Sequence, residues 1–185
     1  MANFQLDGEY IGAIKNLVVE NKDKKLKKQL HELHYADIAE LIEELSIDEA
    51  IYLVKLLDSE KTADALAEVD EDFREKILDQ LSAKEIAEEV EELDTDDAAD
   101  IIAELPEERQ EKVLSEIEDT EHLKDIRELL RYEEDTAGSL MAKELVKVHE
   151  DLSVLKCVNA MRKQAQTRTR LCGQPLRMHF KRRPL

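Results

Sequence analysis

The chain has 185 residues, of which 39% are charged and 4% aromatic with no Trp; it has room for one domain and a smaller second piece, and its aliphatic content favours helices over a sandwich or barrel. The formal charge of −18 combines an acidic body with a basic end: residues 1–151 hold 18 basic and 45 acidic side chains, and the remainder holds nine Lys/Arg and no acid. A surface of the body's sign repels nucleic acid phosphates and anionic lipid and attracts cations or basic partners, which argues against nucleic acid as a partner.

At the N-terminus, MANFQLDGEY has neither the positive region nor the apolar region of a signal peptide. No run approaches the roughly 20 apolar residues of a membrane span, so none is expected. Cys157 and Cys172 lie outside the acidic part without metal-ligand spacing, which suits a reducing compartment.

From about residue 10 to 131 the pattern is periodic. Leu33, Leu45, Leu57, Val69, Leu81, Leu93, Leu105, Ile117 and Leu129 stand twelve residues apart, and all nine are aliphatic. Ile42, Val54, Leu66, Leu78, Val90, Ile102, Leu114 and Ile126 repeat the beat three residues earlier, which puts each pair on one helix face. Directly after the first series come Ser46, Asp58, Asp70, Ser82, Asp94 and Pro106, residue types that start helices. Ser46–Glu49 and Ser82–Glu85 have capping-box spacing. The spacing predicts helices of about nine residues, marginal alone and stable only when their apolar stripes are buried against neighbours. Segments 57–81 and 93–117 are identical at ten of 25 positions. The expected fold class is therefore all-α, a right-handed type of superhelix built on the twelve-residue beat.

Within the array the acids cluster. Glu60/Asp64 and Asp96/Asp100 fall at equivalent i,i+4 positions, with Asp97 beside the second pair. Like charges at that spacing cost about 0.2–0.5 kcal/mol per pair, whereas an acid in a first helical turn gains roughly 0.3–1 kcal/mol from the helix dipole. A merely solvated acidic face is thus one reading. A Mg²⁺ or Ca²⁺ site is the other, since Mg²⁺ keeps several waters and needs only one or two carboxylates. No EF-hand loop, Walker loop, nucleophile elbow or dinucleotide turn occurs. HELH at 31–34 is one residue short of the zinc-protease spacing, and His122, His149 and His179 form no partner pattern. Nothing points to an enzyme.

After Leu129 the beat stops. YEEDTAGSLM carries a polar turn at Thr136–Ser139, Leu145–Val148 reads as a short strand, and Ser153 precedes a helix whose Val154, Val158 and Met161 share a face. The acidic units ADIAELIEELSIDEA and DTDDAADIIAELPEE, followed by RELLRYEEDTAGSLMAKELVKVHEDLSV, resemble the cytosolic part of MgtE-type magnesium transporters over roughly residues 10–165. The resemblance implies an acidic superhelix over 1–131, a linker over 132–140 and the start of a CBS domain, an α/β fold, over 141–166. It also implies a Mg²⁺-sensing role at the cytoplasmic face of the membrane, in a homodimer whose own CBS and transmembrane domains are its partners. Intracellular Mg²⁺ would bind between the N-terminal and CBS domains and hold the pore closed. Asp64, Asp96 and Asp100 match the family's interface pattern, and Asp97 stands beside them.

From about Gln166 the match fails. QTRTRLCGQPLRMHFKRRPL has six Lys/Arg, no acid and no strand alternation, where a CBS domain continues into a buried strand. Residues 167–185 read as out-of-frame or appended sequence, with a nucleic-acid arm or membrane-surface tag as the lesser reading, and are expected to be disordered or to pack poorly. The competing function for the whole is a helical scaffold that binds a basic protein partner and has no ion role.

Overall fold

The computed structural model describes residues 6–133, 136–143 and 148–167. Two compact units divide the chain, Met1–Met141 and Ala142–Leu185. The first holds α1 (Gly8–Val19), α2 (Asp23–His31), α3 (Tyr35–Glu43), α4 (Ile47–Leu56), α5 (Ser59–Glu68), α6 (Glu71–Leu78), α7 (Ala83–Val90), α8 (Thr95–Ala103), α9 (Glu107–Glu116) and α10 (Thr120–Leu129); the second holds α11 (Val154–Thr167). No strand occurs among the described residues.

The helices start where the sequence places them. Ser46, Asp58, Asp70, Ser82, Asp94 and Pro106 are the N-caps of α4 to α9. Both capping boxes form: Ser46 N donates to Glu49 Oε2 at 2.9 Å and Ser82 N to Glu85 Oε2 at 2.8 Å, while each serine Oγ accepts from the glutamate's backbone N–H. A third box was not anticipated. His34 Nδ1 accepts from Ala36 N and His34 N donates to Asp37 Oδ2, both at 3.3 Å, at the start of α3. The two histidines of HELH accordingly belong to different elements, His31 ending α2 and His34 capping α3. Between α1 and α2 the chain reverses through Asn21 at φ 51, a left-handed conformation that Asn tolerates.

The beat marks the core. Every member of the Ile42–Ile126 series is buried, and so is every member of the Leu33–Leu129 series except the partly buried Leu57. Each such burial contributes about 1.5–3 kcal/mol, which supplies what helices of eight to twelve residues lack alone. Alternate helices stack, α3 on α5 on α7 on α9, with α4 on α6 and α8 on α10 beside them.

Polar clamps fix this stacking at the helix ends. Lys61 Nζ donates to the carbonyls of His31 and of Leu33, the latter at 3.2 Å, and Arg109 Nη2 to those of Leu78 and Leu81 at 2.8 and 2.9 Å. Glu43 Oε1 accepts from Asp70 N at 2.8 Å, and Glu91 Oε1 accepts from Asp119 N at 2.8 Å. Lys61 and Arg109 are 48 residues apart, as are Glu43 and Glu91, so the clamps recur every four beats. Arg74 on α6 donates through Nη1 to Leu66, Ala67 and Val69 carbonyls at 3.0 Å each and through Nε to Glu104 Oε2 at 3.0 Å, tying the end of α5 to the end of α8.

Past α10, Gly138 lies under the Tyr132 ring, where a Cβ would collide with it. In the second unit, α11 begins at Val154 as the spacing predicts. Leu145–Lys147 of the expected strand and residues 168–185 of the basic tail lie outside the described residues, and Val148 is not in a strand.

Candidate functional site

The candidate acids sit on two helices. Asp64 is near the middle of α5, and Asp96, Asp97 and Asp100 occupy the first turns of α8, where Asp96 and Asp97 meet the positive end of the helix dipole. The Arg74–Glu104 ion pair, with both side chains largely buried, holds the end of α5 to that of α8. The two acidic helices therefore face one electrostatic region. Asp97 feels Asp96 and Asp100 on its own helix and Asp64 and Glu68 across on α5.

The cost of that crowding is visible in the ionisation of the cluster. Asp97 is pushed up to about 6, first by loss of water on the side covered by the helices and then by Asp96, Asp100, Asp64 and Glu68. Its outer side is exposed, and solvent there screens the repulsion. Asp64 is also raised, by burial first and by the charge of Glu60, with His34 acting in the opposite sense and Glu68 adding to the rise. The charges that act on Asp97 are thus all negative, and at Asp64 His34 offsets only part of the rise.

All four sequence-predicted residues are in this region. They do not close on one point, because among the described residues no group of three or more His, Cys, Asp or Glu is arranged to hold a metal ion. The donor chemistry still fits Mg²⁺, a hard cation that takes one or two carboxylates and fills the rest of its shell with water. Glu68 was missed by sequence reasoning, although it stands four residues after Asp64 on α5 and its signal was the same i,i+4 spacing.

The fold and the acids define an α-helical stacked-repeat domain with a carboxylate-rich face. The chain belongs to the MgtE intracellular N domain family, whose profile matches residues 33–135. A crystal structure of the soluble part of a magnesium transporter shares the fold, with a TM-score of 0.72 and 23% identity over 85% of this chain and 62% of that one. The cytosolic domain of the Mg²⁺ channel MgtE in complex with ATP gives a TM-score of 0.74 and 27% identity over 84% of this chain and 64% of that one. The chain therefore spans just over three fifths of the length of these structures. No curated protein matches it in sequence. Among the described residues, no helix is long and apolar enough to cross a membrane.

Proposed function

We propose that this domain is the Mg²⁺-sensing cytosolic portion of a magnesium transporter and gates the pore of the whole protein without itself transporting the ion. The observation that carries the reading is the concentration of carboxylates on α5 and α8 whose charges raise the pKa of Asp97 and Asp64, in a member of the MgtE intracellular N domain family. Asp64, Asp96, Asp97 and Asp100 would hold hydrated Mg²⁺, whose charge cancels their mutual repulsion. The remaining ligands would come from the CBS domain that residues 141–166 begin, in the homodimer that the family resemblance implies.

The sign of the response follows from charge. Two acidic surfaces resist docking, and an ion bound more tightly by the docked pair shifts the balance towards it, by no more than its difference in affinity for the two states. High Mg²⁺ thus favours the docked arrangement, and its loss frees the acidic domain.

The experiment is a Mg²⁺ titration, followed by small-angle scattering and protease protection, of a longer chain with complete CBS domains. Compaction and protection at millimolar Mg²⁺, weakened at least tenfold in midpoint by Asp64→Asn with Asp97→Asn, support the sensor. No compaction at millimolar Mg²⁺ overturns it. An unchanged ion response with loss of a basic protein partner in the same variant supports the scaffold instead.

A further inference from the structure

Helix α2 reverses the electrostatics of the acidic body. Residues 1–31 carry six Lys against four acids, whereas residues 32–151 carry 12 basic against 41 acidic side chains. Five of those lysines, Lys22, Lys24, Lys25, Lys27 and Lys28, fall within seven residues, and all are exposed. In a chain with 45 acids to spare, none of the five is in an ion pair among the described residues. The single acid of the segment, Asp23, accepts the hydrogen bond of the Tyr52 hydroxyl.

The arrangement is directional. Leu26 and Leu30 anchor α2 in the core. At roughly 100° per residue, Lys24, Lys25, Lys27 and Lys28 fan over the opposite half of the helix. Beside them is a groove of about 390 Å³ lined by Lys27, Lys28, His31 and Lys61 together with Glu32 and Asp58. Asp23 in the first turn and Lys28 and His31 in the last suit the helix dipole, but the other lysines oppose helix stability. Lys24 and Lys25 lie in the first turn against the dipole, and Lys24/Lys27, Lys24/Lys28 and Lys25/Lys28 are like charges at i,i+3 and i,i+4. Lysines that repel one another along the helix and form no ion pair among the described residues are explained by an anionic surface outside it.

We propose that the outward face of α2 docks on an anionic phospholipid surface. This rests on reading the chain as part of a membrane transporter. Two magnitudes decide for lipid over the acidic face of a second copy. Exposed Lys–carboxylate pairs between proteins are worth little each, whereas lysines near an anionic bilayer act collectively, each worth about a fivefold change in binding. The acidic body does not veto this contact, because charges more than about 8 Å from the headgroups are screened at physiological salt. The overall repulsion of anionic lipid expected from net charge therefore yields locally at α2.

The test is co-sedimentation of the full chain with vesicles of phosphatidylglycerol and phosphatidylcholine in equal parts, with Mg²⁺ chelated so that the outcome is separate from the ion response of the acids. Phosphatidylcholine vesicles and inorganic triphosphate as competitor are the controls. The expected result is binding to anionic vesicles alone, weakened by salt. The variant Lys24→Gln/Lys25→Gln/Lys27→Gln/Lys28→Gln, with helicity confirmed by circular dichroism, should bind several hundredfold more weakly, about fivefold per lysine. Equal binding by variant and wild type, or no binding to anionic vesicles at low salt, overturns the proposal. Self-association lost in the variant while vesicles stay bare overturns it in favour of a second copy, and full displacement by triphosphate assigns the face to free phosphates instead.

Discussion

Helices α2 and α8 are both nine residues long and obey the same rule inside, but they are opposites outside. α2 buries Leu26 and Leu30, and α8 buries Ala98, Ala99, Ile101 and Ile102. Both have their last carbonyl closed by a side chain from a later helix, that of His31 in α2 by Lys61 and that of Ala103 in α8 by Gln110 Nε2 at 3.3 Å. Yet α2 shows lysines to solvent and α8 shows aspartates. The twelve-residue beat fixes the inner face and leaves outward positions free to vary in charge. Function in such an array is written on the outward face, and each face is only as well placed as the clamps behind it.

The largest effect should come from breaking the clamp behind the acidic helix. Arg74→Ala removes the partner of Glu104, whose side chain is 15% exposed, and strips three carbonyls at the end of α5. Leaving a largely buried charge unpaired costs about 3–5 kcal/mol, to be read by urea unfolding. Gln110→Ala, which removes only neutral hydrogen bonds at the same end of α8, should cost about 1 kcal/mol. If Arg74→Ala costs no more than Gln110→Ala, the ion pair does not hold α5 and α8 together and the acidic cluster has another support.

These clamps mark where the sequence stopped being legible. The apolar beat was readable because burial constrains every twelfth residue in the same way, and the N-caps were readable because Ser, Asp and Pro act within three residues. Asp64, Asp96, Asp97 and Asp100 could be picked from the repeat offset, but their approach across α5 and α8 depends on Arg74 meeting Glu104, 30 residues away. The Lys61/Arg109 and Glu43/Glu91 pairs had a signal, the 48-residue spacing, which a search for the shorter beat passes over. The lysine face of α2 was hidden by net charge, a sum that erases local sign.

Helix α7 breaks the inside–outside rule that α2 and α8 share, and it gives the next prediction. In register with Glu89 stand Leu41, Leu53, Ala65, Ile77, Ile101 and Val113, all buried and all apolar. Glu89 Oε2 is buried without a hydrogen-bond partner among the described residues, and the carboxyl is pushed up to about 8 by burial, then by Glu88 and Glu92. At neutral pH the folded protein therefore keeps Glu89 protonated while the unfolded chain ionises it. Stability contributed by the neutral carboxyl is complete below about pH 4.5 and drains away as pH rises to about 8, levelling off above it. Glu89→Leu restores the register and should raise stability by about 1–3 kcal/mol at pH 9 and by less at pH 5, measured by urea unfolding at both. A gain that does not depend on pH would show that packing, not ionisation, sets the cost.

The smallest effect tests whether helix starts are as independent as the beat suggests. Ser82 Oγ accepts from Glu85 N at 3.2 Å and donates to Glu85 Oε2 at 2.8 Å, while Glu85 also meets Lys55 Nζ at 2.7 Å. Lys55 first, then the Ser82 backbone and hydroxyl, draw the Glu85 carboxyl down to about 2. Ser82→Ala removes the hydroxyl and leaves Lys55 and the backbone bond, so it should cost about 1 kcal/mol at pH 7. Asp58 caps α5 without a side-chain hydrogen bond, and Asp58→Ala should cost only a few tenths. The part of the Ser82 effect that acts through ionised Glu85 is present above about pH 4.5 and is lost as pH falls towards 2, so the two variants should converge in acid. Equal costs at pH 7 would mean that the cap bond adds nothing beyond the chain entry angle, and that stacking of α7 on α5 and α9 alone decides where this helix begins.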